Sequence, residues 1–156
     1  MTLGDAVQLN ETLTSIENIL FELRTGYKLD IIRQSARKHY ESFQRERTKF
    51  LREKRLKDIP DDYREGIDYV FLTIDRVYKV PLSIEAFESF SEQIEKLLGT
   101  NVEVDEQSFS VSEFEIGIEE TDESGRRRKT KKNILTPALI KVLKPYITDI
   151  ETLKHP

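Results

Sequence analysis

Cysteine is absent from the 156-residue chain. Disulfides, thiolate nucleophiles and Cys-ligated zinc or iron–sulfur centres are thereby excluded. Histidine is nearly absent: His39 sits between Lys38 and Tyr40, and His155 is next to the C-terminus. Metal-ligand spacing of the His-x-x-x-His or Asp-x-Asp-x-Asp kind does not occur. The six glycines are scattered and Gly-x-Gly occurs nowhere, so no glycine-rich loop is available to cradle a phosphate. No carboxylate pair stands out from the acidic background; Glu103 and Asp105 share a face, but nothing converges on them. The sequence therefore predicts a protein that is not an enzyme and takes no metal or cofactor. Long apolar runs are missing as well, and none approaches the ~20 residues of a membrane span. The start Met1-Thr2-Leu3-Gly4-Asp5 has neither the basic residues nor the apolar stretch of a secretory signal. The expectation is a soluble protein, intracellular or particle-bound, with no membrane partner.

What is present is charge and a modest apolar core. Charged residues make up 35% and hydrophobic residues 37% of the chain, polar for a chain of this length. Eight Phe and six Tyr supply large anchors, enough to argue against global disorder. The length fits a single domain spanning 1–156.

Helical periodicity opens the chain. Ala6, Leu9, Leu13, Ile16, Leu20, Leu23 and Tyr27 recur at spacings of three and four, with Asp5 as N-cap and Gly26 as C-cap or tight turn. A longer helix is predicted over 29–56, where Leu29, Ala36, Phe43 and Phe50 fall at sevenfold spacing beside Ile32 and Tyr40. Its seam is apolar, while Arg45, Lys49 and Arg52 face out. The short connection around Gly26 makes an antiparallel hairpin over 1–57 the default. One continuous helix through Gly26 is the alternative, since a mid-helix glycine costs only about 1 kcal/mol. Residues 57–66 read as a turn. Residues 67–80 are β-branched and aromatic and read as one strand ended by Pro81. Ser83 caps a third helix bearing Ile84, Phe87, Phe90, Ile94, Leu97 and Leu98, and Gly99 stops it. The period then falls to two through Val102, Val104, Phe109, Val111, Phe114, Ile116 and Ile118, which predicts short half-buried strands. Thr136-Pro137 starts a last helix that ends near Pro145 or Ile147. The tail 148–156 has no pattern and reads as loosely held. The predicted fold is α+β: a long N-terminal helical hairpin over 1–57, then an α+β part over 67–147 with a small mostly antiparallel sheet, a protruding charged β-hairpin over 114–135 and two shorter helices.

Two charge features carry the functional reading. Residues 33–58 hold ten basic side chains against four acids, a net of +6, while the rest of the chain carries −10, since the whole is −4. A basic helix can meet phosphates or an acidic protein face. It can equally be a solvated face laced by helix-spaced pairs such as Glu46–Lys49 and Glu53–Lys57. The net negative charge makes nucleic acid an unfavoured partner, reached if at all through this helix. The second feature surrounds Gly125. Glu113, Glu115, Glu119, Glu120, Asp122 and Glu123 precede it; Arg126, Arg127, Arg128, Lys129, Lys131 and Lys132 follow. Folded about Gly125, the two arms bring opposite charges across from each other, each pair contributing about 0.2–1 kcal/mol. One reading is a self-neutralising hairpin. The sharper one is an intermolecular arm, with Ile116, Ile118, Arg126, Arg127, Arg128, Lys129, Lys131 and Lys132 as partner-binding residues.

The order of segments also resembles a known class. The helical hairpin, the helix Ala86-Phe87-Glu88-Ser89-Phe90 … Ile94-Glu95-Lys96-Leu97-Leu98, the stretch Asn101-Val102-Glu103-Val104-Asp105 and the closing Leu135-Thr136-Pro137-Ala138-Leu139-Ile140-Lys141-Val142-Leu143 resemble small, mostly uncharacterised proteins encoded by tailed bacteriophages. The charged hairpin departs from that pattern as an insertion. The resemblance implies a phage origin and a place in the virion or the host cytoplasm. It implies either a structural or assembly part, acting as a homo-oligomer or within a larger particle, or a small protein that binds a host factor; a nucleic-acid-binding accessory role is the third option. It brings no catalytic residues.

Overall fold

The computed structural model describes residues 1–151. Helix α1, Leu3–Ser15, begins at Thr2, whose hydroxyl accepts from the Asp5 N–H while the Asp5 carboxylate accepts from the Thr2 N–H, both at 3.1 Å. The cap is thus Thr2, with Asp5 as its reciprocal partner three residues on, a T-x-x-D version of the capping box. The helix stops eleven residues short of Gly26. In its last turn Thr14 and Ser15 bond back to the carbonyls of Asn10 and Thr12, the competition with helix that hydroxyl side chains offer. Residues 16–22 turn the chain, and α2, Leu23–Lys54, then runs 32 residues, about 48 Å at 1.5 Å each.

Gly26 therefore lies in the first turn of α2, its N–H bonded to Glu22 O at 2.9 Å, and is neither C-cap nor turn. The break also resets the periodic stripe. Leu20, Leu23 and Tyr27, expected on a buried face, are 92%, 91% and 68% exposed. The antiparallel hairpin itself is present, with Asn10 alongside Tyr40 and Glu17 alongside Arg33.

Two buried clusters sit at opposite ends of α2. At its N-terminal half Leu29, Ile32 and Ala36 pack with Leu9 and Leu13 of α1, with Ile16 just beyond it, and with Phe109, Val111, Phe114, Leu139, Leu143, Tyr146 and Ile147. At its C-terminal half Leu51 packs with Val80, Leu82 and Phe90. The seam runs as expected through Leu29, Ala36 and Phe43. It then shifts by one residue: Leu51 is fully buried and Phe50 only partly. Arg45, Lys49 and Arg52 are exposed.

The segment expected as one strand is a hairpin, β1 Tyr69–Thr73 and β2 Lys79–Ser83. Asp75 makes the turn, its carboxylate accepting from Val77 N–H at 2.8 Å and Tyr78 N–H at 2.9 Å. Pro81 does not end the strand but lies inside it, opposite Phe71. The Ile74–Tyr78 bond fixes which residues face the partner, and by alternation Pro81 turns its nitrogen outward. A proline there removes no ladder bond. Helix α3, Ile84–Leu98, starts at Ser83 and stops at Gly99 as the sequence predicts.

The expected strand at 101–105 keeps the period of two, with Val102 and Val104 half-buried, but forms no strand. Its backbone bonds go elsewhere: Val102 N–H to Met1 O, Asp105 N–H to Ser35 Oγ, and Glu103 O to the His39 ring. Phe109 is held by a single bridge to Ile147, and Val111–Phe114 is a 3-10 turn. β3, Glu115–Thr121, and β4, Arg127–Asn133, form a second hairpin. The single small sheet expected is thus two separate two-stranded antiparallel sheets. Helix α4, Pro137–Leu143, is capped by Thr136 and continues as a 3-10 turn through Tyr146. Residues 148–151 are not loose: Thr148 N–H bonds to Phe109 O at 2.9 Å, and Ile150 packs on the first cluster. The remainder of the tail, with His155, lies outside the described residues. No helix among the described residues is long and apolar enough to cross a membrane.

Candidate functional site

The β3–β4 hairpin forms because its turn is chemically specified. The Asp122 carboxylate accepts from Ser124 N–H at 3.0 Å, Ser124 Oγ at 2.7 Å and Arg126 N–H at 2.8 Å. Those bonds, the Ser124 hydroxyl's first, hold its carboxyl below the usual aspartate range. Gly125 takes φ +80°, a conformation that closes a three-residue hairpin loop and that side chains resist. The Gly125 N–H to Asp122 O bond at 3.0 Å completes the turn.

The register then decides which residues meet. Glu119 stands opposite Lys129 and Glu120 opposite Arg128, so the charge switch seen in sequence becomes cross-strand complementarity. Among the described residues, however, the ion pair within the hairpin is Arg128 to Asp122, at 3.7 Å. Arg126, Arg127, Lys129, Lys131 and Lys132 make none within 4 Å among the described residues. The predicted partner-binding set is split between two faces. Ile116 and Ile118 lie with Arg128, Thr130 and Lys132 on one; Arg127, Lys129 and Lys131 lie with Glu115, Gly117 and Glu119 on the other. The first face is half-buried at Ile116, Ile118 and Thr130, and the second is exposed from Arg127 to Lys131. Neither isoleucine joins a buried cluster.

The hairpin is tied to the body at its root by residues that the sequence pattern does not mark. Lys28 donates to Glu113 Oε1 at 2.9 Å and to Ser108 O at 2.6 Å, and its ammonium lies 5.1 Å from the Phe109 ring centre. Glu113 Oε2 accepts from Ser110 N–H at 2.7 Å. Burial would raise the Glu113 carboxyl, but the Lys28 and Ser110 bonds outweigh it and hold the group below the usual range. Asn133 donates to Val111 O at 2.9 Å, and Val111 N–H donates to Asp149 at 2.7 Å. Phe114, fully buried, meets Phe21 edge-on at 6.2 Å. One local signal was readable: Ser110-x-x-Glu113 is half of a capping pair. Lys28 lies 85 residues from Glu113, beyond any local pattern.

The basic helix is the other candidate. Arg45, Lys49 and Arg52, with Gln44, Thr48 and Glu53, line an open depression of about 550 Å³ on α2 alone. The expected pairs Glu46–Lys49 and Glu53–Lys57 are not formed among the described residues. The pairs formed within this helix, among the described residues, are Arg33–Asp30 and Arg37–Glu41, with Arg33 also 3.8 Å from Glu17. His39 is used structurally, its Nε2 2.6 Å from Glu103 O. Among the described residues no group of three or more His, Asp or Glu side chains could hold a metal ion. Searches against protein-family models, curated proteins and solved structures find no match.

Proposed function

We propose that this chain is a non-enzymatic structural or assembly component of a bacteriophage particle, working through protein–protein contacts made by the β3–β4 arm. The observation that carries this reading is the arm itself. Among the described residues its strands, seven residues each, pair only with one another, and Asn133 and Glu113 tie their root to the body. A two-stranded hairpin is marginally stable in water and gains from a contact. Ile116 and Ile118 offer apolar area on one face, and the arginines offer fork-shaped donors suited to carboxylates. The phage assignment rests on the resemblance in segment order, which also gives the virion or host cytoplasm as location.

The test is sedimentation velocity of the wild-type chain and of the Arg126→Glu, Arg127→Glu, Arg128→Glu triple variant. The expected result is assembly by the wild type and a monomeric triple variant whose melting temperature stays near wild type. Assembly that survives the reversal overturns the reading.

The exposed Arg45, Lys49 and Arg52 support a second role, in which a host protein's acidic face docks on α2. Its test is affinity capture of an acidic peptide by the wild type and by a variant with all three changed to Glu.

A further inference from the structure

We propose that the arm joins copies of this chain head to tail, the outer edge of β4 on one copy pairing with the outer edge of β3 on the next. The proposal rests on the arm's reading as an assembly element and specifies the partner as a second copy.

The edges are free. The bonds Asp122 N–H to Arg126 O and Ile134 N–H to Phe114 O mark the even-numbered residues of β3 as facing β4. By alternation, Gly117 and Glu119 turn their N–H and C=O outward from β3, and Lys129 and Lys131 do so from β4. All four are exposed, and none bonds to the body among the described residues.

Charge selects the pairing. Glu115, Glu119 and Glu120 give β3 a formal charge of −3; Arg127, Arg128, Lys129, Lys131 and Lys132 give β4 +5. A two-fold dimer would lay β4 on β4 or β3 on β3, with like charges directly opposite, which is destabilising. Lysines on an edge normally block strand addition. Here they leave one complementary edge, the acidic β3 of another copy. In the intrachain register that contact repeats Glu119 opposite Lys129 and Glu120 opposite Arg128. Pairing of unlike edges is heterologous, so it produces a ring or a filament and never a closed dimer. Each copy adds two strands, about 10 Å of sheet. The body is at least two helices wide, about 20 Å. Bodies wider than the arm must splay or stagger around the twisting sheet, so the product is a ring or a helical filament larger than a dimer.

Edge prolines test this directly. Glu119→Pro and Lys131→Pro each remove an outward N–H and leave the intrachain ladder bonds in place. In sedimentation velocity the wild type is expected beyond a dimer and each variant alone as monomer. An equal mixture is expected as a one-to-one dimer and nothing larger, because each variant keeps one usable edge. Hydrogen exchange of the wild type gives a second readout free of substitutions: the amides of Gly117, Glu119, Lys129 and Lys131 become protected on assembly. A monomeric wild type, a mixture that stays monomeric, a variant that still assembles alone, or outward amides that stay unprotected in the assembled wild type overturns head-to-tail pairing. Where the prolines leave assembly intact and the arginine reversal abolishes it, the pairing fails and the arm's docking role stands. Where assembly survives both, both fail.

Discussion

Replacing Glu113 by Gln keeps the shape of the arm's anchor and removes its charge. The carboxylate accepts from Lys28 at 2.9 Å and from Ser110 N–H at 2.7 Å. The two side chains are 15% and 21% exposed, so solvent screens the pair only in part. Hydrogen bonds to charged groups contribute about 1.5–3 kcal/mol. Gln can still accept one of them, so a loss of about 1.5–2 kcal/mol is expected near neutral pH. For a chain of this length 1 kcal/mol corresponds to roughly 2–4 °C, placing the drop in melting temperature at about 3–8 °C. The pH dependence has a definite sign. The folded Glu113 carboxyl lies below its ordinary value, so its stabilisation is fully present above the unfolded value of about 4.3 and is lost as pH falls through the lower folded value. The gap between wild type and Glu113→Gln should therefore be widest at neutral pH and close in acid. Thermal melts from pH 7 down to pH 3 measure it. Equal melting at pH 7, or a gap that persists unchanged in acid, refutes the assignment of Glu113 and Lys28 as a charged clamp.

The arm's turn gives a pair of opposite expectations. Gly125→Ala forces a side chain into φ +80° with no clash, and should destabilise the hairpin by about 1–2 kcal/mol, seen as faster exchange of the Ile118 and Thr130 amides. Gly117→Thr meets no atom within 4 Å at an ordinary strand position and should slow that exchange. In the first cluster, Phe114→Ala should cost about 3–5 kcal/mol in a denaturant titration, since the ring is fully buried. Fluorescence anisotropy with duplex DNA at about 0.15 M salt should show no submicromolar binding, because phosphate-driven affinity falls steeply with salt and acids interrupt the basic helix.

What was legible in the sequence is what local chemistry specifies. Ser83 and Gly99 bracket α3, Thr136-Pro137 starts α4, and Asp122 to Gly125 turns the arm, each through bonds within a few residues. The α+β class followed from those signals. Local rules place the break between α1 and α2 at Gly26, whereas the chain turns at residues 16–22 because Ile16, Ile19 and Phe21 find the first cluster there. Asp75 turns the chain from inside an apolar, β-branched run whose pattern gives no break, so two strands read as one. Val102 to Asp105 shows the converse: the right alternation, with its bonds diverted to Met1, Ser35 and His39. For the candidate site, the arm and its charges could be read. Its division into two faces needed the register, and its anchors join residues far apart in sequence.

Excising the arm tests the central claim most directly. Ile116 and Lys132 are cross-strand partners whose N–H and C=O groups face each other, so an Asn-Gly turn can join them in place of residues 117–131. Neither buried cluster includes a residue of the excised segment, so the body should melt as the wild type does. In sedimentation velocity the wild type is expected as an assembly and the excised chain as a monomer at every concentration. Assembly of the excised chain to the wild-type size would contradict the account.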